Sequence, residues 1–139
     1  REGQDITIVP YGSTLRVVEE AAMELDRLGI SDEIIDAQTL QPFDRAHLSA
    51  ESLKKTNKLL VVDEDVPGGA SAFIMQQILE EQNGYYLLDS QPRTLSARAH
   101  RPPYGSDGDY FTKPSSDDIV EVVFEMMNEG NPYQYPALF

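Results

Sequence analysis

The sequence predicts an α/β domain in which a mostly parallel sheet is covered by helices on both faces. Segments with the β-branched pattern of strands alternate along the chain with segments of helical periodicity. The connections between successive strands are long enough to hold helices, as parallel neighbours require. The unbroken apolar run Leu59–Val62 is typical of a strand buried on both faces, so we expect it at the centre of the sheet.

The first elements follow from simple spacing. Residues 5–9 alternate and are β-branched, which predicts a strand, and Ser13 follows it as a hydroxyl able to cap a helix. Apolar residues recur every three or four positions over 14–28, which predicts a helix that Gly29 ends. Residues 32–36 are then expected to form a second strand.

The middle of the chain is predicted to form a helix, the central strand and another helix. Asp44 is placed to cap a short helix over 45–56 that leads into the central strand. After that strand, Gly68 and Gly69 turn the chain. Apolar positions at helical spacing then predict a helix over 70–82.

The remaining elements are less regular. Residues 85–88 form an apolar patch whose secondary structure the pattern does not decide, and 92–97 read as a further strand. The loop over 98–114 is long enough to be either functional or docked on something. Ser115 is expected to cap a final helix that ends at Gly130.

An aromatic tail follows the domain. We expect one domain over 1–130 and a tail over 131–139. Tyr133, Tyr135 and Phe139 are large groups at a chain end that are not expected to return to the core, so they should cover a surface of the assembled protein or of a partner.

Composition narrows the classes of partner. The net charge of −13 argues against nucleic acid or an anionic membrane, because both would repel the chain. No segment approaches the roughly 18 apolar residues of a membrane span.

The chain has no cysteine, which excludes disulfides and thiolate chemistry, and we expect a cytoplasmic protein. The start without methionine leads us to expect a piece of a longer polypeptide.

Three consecutive acids after the central strand form the first candidate site. Asp63, Glu64 and Asp65 follow a strand end, where open α/β sheets place their ligand sites. Consecutive residues rarely converge on one metal, so we expect a helix-start or interface role. The turn at Gly68 and Gly69 could hold a phosphate on backbone N–H groups, but it lacks the P-loop lysine and its acidic neighbours would repel an anion.

Other candidate ligands are isolated. Asp107 and Asp109 lack the downstream glutamate spacing of a calcium loop, so a solvated turn is expected there. His47 and His100 have no partner motif around them and are expected to be structural.

Four stretches, taken in their order along the chain, resemble the motifs of a known protein family. They are residues 5–12 (DITIVPYG), 34–44 (IIDAQTLQPFD), 52–64 (SLKKTNKLLVVDE) with the glycine pair, and 102–104 (PPY). Together they resemble the C-terminal transketolase-like domain of thiamine diphosphate-dependent 2-oxo acid dehydrogenases, in its beta-subunit form from pyruvate, branched-chain and acetoin members. The tract 104–114 and the tail resemble versions with fused alpha and beta parts.

The resemblance implies a fold and a division of labour. It implies an α/β/α layered domain with a mostly parallel sheet of about five strands. Thiamine diphosphate and Mg²⁺ would be bound outside this domain, which would carry no catalytic residue of its own. The domain would contact other domains or subunits of the same dehydrogenase, form a homo-oligomer and offer a surface to the dihydrolipoyl acyltransferase.

Individual positions match unevenly. Glu64 matches the glutamate that follows the family's central strand, and Gly68–Gly69 match its glycine pair. Asp63 stands where the family often has histidine, and the usual arginine of the following strand is replaced near Leu95. No role that depends on that histidine or arginine is therefore carried over to this chain.

We therefore expect an assembly and partner-docking domain of the decarboxylating component of a 2-oxo acid dehydrogenase complex, inactive alone. The whole enzyme would convert a 2-oxo acid and lipoamide to acyl-dihydrolipoamide and CO2. The alternatives are a free-standing acidic ligand-binding module, and the equivalent domain of a transketolase or deoxyxylulose phosphate synthase relative.

Overall fold

Four parallel strands form the central sheet of the computed structural model, which describes residues 1–65, 68–99 and 111–136. They lie in the order β2-β1-β3-β4 and comprise β1 (Ile6–Pro10), β2 (Asp32–Ile34), β3 (Leu59–Val62) and β4 (Arg93–Leu95). Every neighbouring pair is parallel. The predicted fold class is confirmed, with four strands in this sheet where the resemblance implied about five.

Helices occupy the connections as predicted. They are α1 (Thr14–Arg27), α2 (Leu48–Thr56), α3 (Ala70–Gln76) and α4 (Ser116–Gly130). Directly after α3 the helix continues as a π-helical segment, Gln77–Glu81. A short 3₁₀ helix, Gly84–Leu87, then precedes β4. The apolar patch at 85–88 is therefore largely helical. A separate antiparallel pair, β5 (Arg98–Ala99) and β6 (Phe111–Thr112), follows β4.

The side chains of the central strands alternate between two cores. Ile6 and Ile8 of β1 share one core with Leu60 and Val62 of β3, and α1 and α4 cover it. Leu59, Val61 and Val9 point to the other face, which α2 and α3 cover. All four β3 residues are fully buried, with β1 on one side and β4 on the other. The central position predicted for this strand is thus confirmed, and the fold has three layers.

Hydroxyl groups join α2 to the sheet. Thr7 of β1 has its Oγ1 2.6 Å from Ser52 Oγ and 2.7 Å from Thr56 Oγ1, and all three side chains are buried. The contact between α2 and β1 is therefore partly polar, with each hydroxyl hydrogen-bonded.

Most predicted helix ends are confirmed. Asp44 accepts hydrogen bonds from the first backbone N–H groups of α2, although the helix begins at Leu48 and not at residue 45 as predicted. Ser115 forms a reciprocal capping box with Asp118 at α4. Gly29 follows α1 with a φ of +78°, which favours glycine. The prediction for Ser13 is wrong, because its hydroxyl makes no capping bond to α1 and instead donates to Glu64.

The tail also departs from expectation. Tyr135 is only 7% exposed and packs edge-to-face on Phe124 of α4, with ring centroids 6.0 Å apart. The chain turns back at Asn131, whose carbonyl accepts from the Tyr135 N–H at 3.0 Å. The expectation that the tail aromatics stay out of the core is therefore wrong for Tyr135. In the part of the chain that the structure describes, no helix has the length and apolar character to span a membrane.

Candidate functional site

The loops that follow β1, β3 and β4 meet at the carboxyl edge of the sheet. The Asp63 N–H donates to the Leu95 carbonyl and the Ala97 N–H donates to the Asp65 carbonyl, both at 3.0 Å. The Tyr11 N–H donates to the Val62 carbonyl, also at 3.0 Å. The acidic stretch is therefore held between the ends of the neighbouring strands, at the edge where α/β sheets build their sites.

Asp63 points into the protein. Its side chain is buried, with the residue 1% exposed, and its Oδ2 has no hydrogen-bond partner among the described residues. Burial raises the pKa of Asp63 above its ordinary value, and hydrogen bonds from the backbone of Asp65, Glu64 and Ser71 offset this only in part. A buried carboxyl group therefore directly follows the end of β3.

Glu64 contacts Ser13, which follows β1, and Lys113, which follows β6. Its Oε2 accepts a hydrogen bond from Ser13 Oγ at 2.5 Å and lies 3.4 Å from Lys113 Nζ. The Ser13 hydrogen bond, assisted by Lys113, lowers the pKa of Glu64 against the opposing effect of burial. About a third of the side chain, 34%, remains exposed. Glu64 is therefore an ionised, oriented carboxylate that a partner can reach.

The glycine pair shapes the turn between the acids and α3. Gly68 has a φ of +89°, a conformation that residues with a Cβ rarely adopt, and Gly69 is the residue before the first turn of α3. The predicted glycine turn is confirmed as a structural feature.

This turn does not fit a diphosphate group. A phosphate cradle requires free backbone N–H groups and cationic side chains. Here Asp63, Glu64 and Asp65 stand directly before the turn, and carboxylates at that edge would repel the anion. Within the described ranges, no group of three or more histidine, aspartate and glutamate side chains could hold a metal ion.

The other predicted residues are scattered. Tyr133 is 95% exposed, Tyr135 is buried, and Phe139 lies outside the described residues. His47 is exposed at the start of α2. His100, Asp107 and Asp109 lie outside the described residues. The structure therefore brings Asp63, Glu64 and the glycine pair together and leaves the tail apart from them.

Sequence reasoning missed two partners of Glu64. Ser13 is 51 positions away in the chain and Lys113 is 49 positions away on the other side, so no local motif links them. A signal for Ser13 existed, because it follows a strand predicted to be parallel to β3, and such strands end at the same edge. Lys113 directly follows β6, a strand that the sequence did not predict.

Fold and site together define a three-layer α/β/α domain with an acidic loop and a glycine turn at the carboxyl edge of its central strand. A family model described as the C-terminal domain of transketolase matches residues 1–119. The chain therefore belongs to the family of transketolase C-terminal domains, and the family resemblance inferred from the motifs is confirmed.

Similar proteins are beta subunits of larger enzymes. The chain is 35% identical over 121 residues to the mitochondrial pyruvate dehydrogenase E1 component subunit beta-2 of Oryza sativa subsp. japonica, covering 86% of the chain and 31% of that protein. It is 34% identical to the mitochondrial pyruvate dehydrogenase E1 component subunit beta of Pisum sativum, covering 95% and 36%. It is 31% identical to the beta subunit of the acetoin:2,6-dichlorophenolindophenol oxidoreductase of Bacillus subtilis (strain 168), covering 93% and 37%. The chain thus spans about a third of the length of these relatives.

Solved structures agree with the fold. A split gene transketolase, described as an inactive beta4 tetramer, superposes with a TM-score of 0.69 at 25% identity, covering 92% of this chain and 41% of that one. The 2-oxoglutarate:ferredoxin oxidoreductase from Magnetococcus marinus superposes with a TM-score of 0.62 at 20% identity, covering 91% and 18%, and shares the fold alone.

Proposed function

We propose that this chain is the C-terminal domain of the decarboxylating component of a 2-oxo acid dehydrogenase complex, where it serves assembly and partner docking. The whole enzyme converts a 2-oxo acid and lipoamide to acyl-dihydrolipoamide and CO2. Family membership and the relatives named as pyruvate dehydrogenase and acetoin oxidoreductase beta subunits support this proposal.

Thiamine diphosphate and Mg²⁺ belong to the other domains of that enzyme in this proposal. When bound there, the cofactor supplies the thiazolium carbon on which a 2-oxo acid is decarboxylated. The residues at the carboxyl edge support the division of labour, because Asp63, Glu64 and Asp65 stand directly before the glycine turn and would repel a diphosphate.

The observation that carries the assembly role is the geometry of Glu64. Its carboxylate is held by Ser13 and Lys113, is kept ionised, and still exposes 34% of its side-chain surface. A fixed, partly exposed anion suits a cationic side chain of a neighbouring subunit or of the dihydrolipoyl acyltransferase. The similar split transketolase whose beta chains form an inactive tetramer supports an assembling domain that lacks activity alone.

Two experiments test this function. In the first, the intact protein and the isolated 139-residue chain are supplied with thiamine diphosphate, Mg²⁺ and a panel of 2-oxo acids, and CO2 release is measured. We expect activity only from the intact protein with its companion subunits. Decarboxylation by the isolated chain would overturn the division of labour. Tight calorimetric binding of nucleotides or sugar phosphates by the chain would favour the free-standing binding module.

The second experiment addresses the interface. Glu64→Gln in the intact protein is compared with Glu19→Gln, which removes the same charge from an exposed position on α1. We expect subunit or acyltransferase affinity, measured by sedimentation and surface binding, to fall about threefold to fivefold for the Glu64 variant only. Equal affinities in the two variants would remove Glu64 from the interface.

A further inference from the structure

The first five residues cover an edge of the sheet. β2 is an end strand of the four-stranded sheet that the structure describes, with β1 on one side. The Ile35 N–H donates to the Ile8 carbonyl of β1 at 3.0 Å. The preceding amide, that of Ile34, donates to the Arg1 carbonyl at 3.1 Å. Successive amides of a strand point to opposite sides, so Arg1 lies on the edge that β1 leaves free. We call residues 1–5 the strap.

Polar contacts hold the strap at three successive residues. The Gly3 N–H donates to Glu33 Oε1 at 3.2 Å, and the Gln4 N–H donates to Ser31 Oγ at 3.2 Å. The Asp5 carboxylate accepts a hydrogen bond from the Ser31 N–H at 2.7 Å. The strap is therefore an ordered part of the domain that wraps around the beginning of β2.

Gly3 packs directly against the backbone of β2. It is buried, and an ideal Cβ at this position would lie 2.3 Å from the Asp32 carbonyl carbon and 2.6 Å from the Glu33 nitrogen. Those atoms belong to a backbone that is paired with β1, so a side chain here would push the strap away from the strand. Position 3 thus offers a way to displace the strap without changing a charge.

Arg1 is a counter-charge for a buried carboxylate. The Asp32 side chain is 0% exposed, and neither of its oxygens has a hydrogen-bond partner in the part of the chain that the structure describes. Arg1 Nε lies 3.3 Å from Asp32 Oδ1, and the same guanidinium group contacts Asp26 in the last turn of α1. Burial raises the pKa of Asp32, and the charge of Arg1 is the largest effect that opposes this rise. A buried carboxylate that loses its cation is strongly unfavourable, so the closed strap depends on Arg1.

These contacts form a conformational device. We propose that the strap is a releasable cover of the β2 edge, which Arg1 holds closed over Asp32 and which opens while β2 stays paired with β1. Opening bares the Ile34 N–H, and an uncovered strand edge is a template for pairing with another chain. The closed strap therefore prevents strand addition at this edge. The inference does not rest on the proposed function, because Glu64 follows β3 and makes no part of the strap.

Amide hydrogen exchange of the intact protein follows the strap and the sheet at adjacent residues. The Ile34 amide reports the bond to the strap, and the Ile35 amide reports the bond to β1. We expect Arg1→Gln to speed exchange at Ile34 about tenfold and to leave Ile35 unchanged, because 36% of the Arg1 side chain is exposed and solvent screening limits the effect. Arg93→Gln is the matched control, since its side chain is 33% exposed but pairs with the exposed Glu125, and both amides should be unchanged. Equal acceleration at Ile34 and Ile35 in Arg1→Gln, or none at either, would overturn the proposal.

A charge-neutral double variant separates the proposed role of Arg1 from simple packing. In Arg1→Gln/Asp32→Asn no buried charge is left without its cation, so exchange at Ile34 should return to within about twofold of the wild type. Exchange as fast as in Arg1→Gln alone would mean that Arg1 does not act through the Asp32 charge, and would refute this part of the proposal.

Gly3→Ala opens the strap without changing a charge. Its control is Gly84→Ala, whose Cβ would also meet backbone, 2.7 Å from the Ile78 carbonyl oxygen. We expect Gly3→Ala to speed exchange at Ile34 at least about tenfold more than at Ile35, and to sediment as larger species in salt that screens the net charge of −13. Gly84→Ala should do neither. The same behaviour in both variants, or an open strap without larger species, would refute the role of the strap as a cover.

Discussion

Tyr135 offers a quantitative test of how the tail is held. Its ring is almost fully buried against Phe124 in the core that also contains the α1 and α4 side chains. Truncation of a buried aromatic ring to alanine removes about 3 to 5 kcal/mol of stability, and the site lies at the edge of the core, where partial collapse is easiest. We therefore expect Tyr135→Ala to lower the free energy of unfolding by about 3 kcal/mol.

Tyr133 is the matched control for that substitution. It is the same residue type two positions earlier and is 95% exposed, so Tyr133→Ala should change the free energy of unfolding by less than about 0.5 kcal/mol. Tyr135→Phe keeps the ring and loses only the contact of its hydroxyl with Gln134 Nε2 at 3.2 Å, so about 0.5 to 1 kcal/mol is expected.

The assay is urea unfolding of the three variants followed by circular dichroism, with the denaturant dependence checked to be equal among them. Similar losses for both alanine variants, or a loss below about 1 kcal/mol at Tyr135, would refute the placement of this ring in the core.

Three further predictions concern the turn glycines and the buried acids. Gly84→Ala should destabilise the protein by about 2 kcal/mol, because its Cβ would meet a backbone carbonyl at 2.7 Å. Gly68→Ala should destabilise it by about 1 kcal/mol, because only its positive φ is unfavourable. A higher melting temperature for Gly84→Ala than for Gly68→Ala would contradict this order. For Asp63, burial raises the folded-state pKa above 3.8, so its contribution to stability falls as pH rises through that raised pKa. The stability of Asp63→Asn should not fall over this pH range, and the variant should be at least as stable as the wild type at neutral pH. A clearly lower stability of the variant at neutral pH would contradict this prediction. Burial also acts to raise the pKa of Glu33, but hydrogen bonds outweigh burial and the pKa lies below 4.5. The stability that Glu33→Gln loses at neutral pH should therefore no longer be lost once the pH has fallen through that lowered pKa. A stability loss that persists in acid would count against this prediction.

Much of the fold could be read from periodicity. Leu59–Val62 is short, apolar and half β-branched, and the helices that cover its two faces were also predicted, most of them from regular apolar spacing. Capping at Ser115 was predictable because Asp118 completes the motif within three residues. In local patterns of this kind, both interacting residues lie within a few positions of each other in the sequence.

The predictions that failed involve residues distant from each other in the chain, or turn-forming residues that were not recognised. Ser13 has the residue type and position of a helix cap, yet the Glu64 carboxylate, far away in sequence, competes for its hydroxyl. The return of Tyr135 requires a turn at Asn131, whose side-chain oxygen accepts from the Gln134 N–H at 3.2 Å. Asparagine before proline favours such turns, so that signal was present in the sequence.

The hydroxyl cluster between α2 and β1 has a consequence for how the domain opens. Contacts among Thr7, Ser52 and Thr56 are directional, so α2 has one rotation and one position along the strand at which all are formed. Each such bond adds only about 1 kcal/mol net, less than a large apolar side chain buried in its place. Amide hydrogen exchange should therefore show α2 detaching from the sheet in fluctuations that leave α1 and α4 protected.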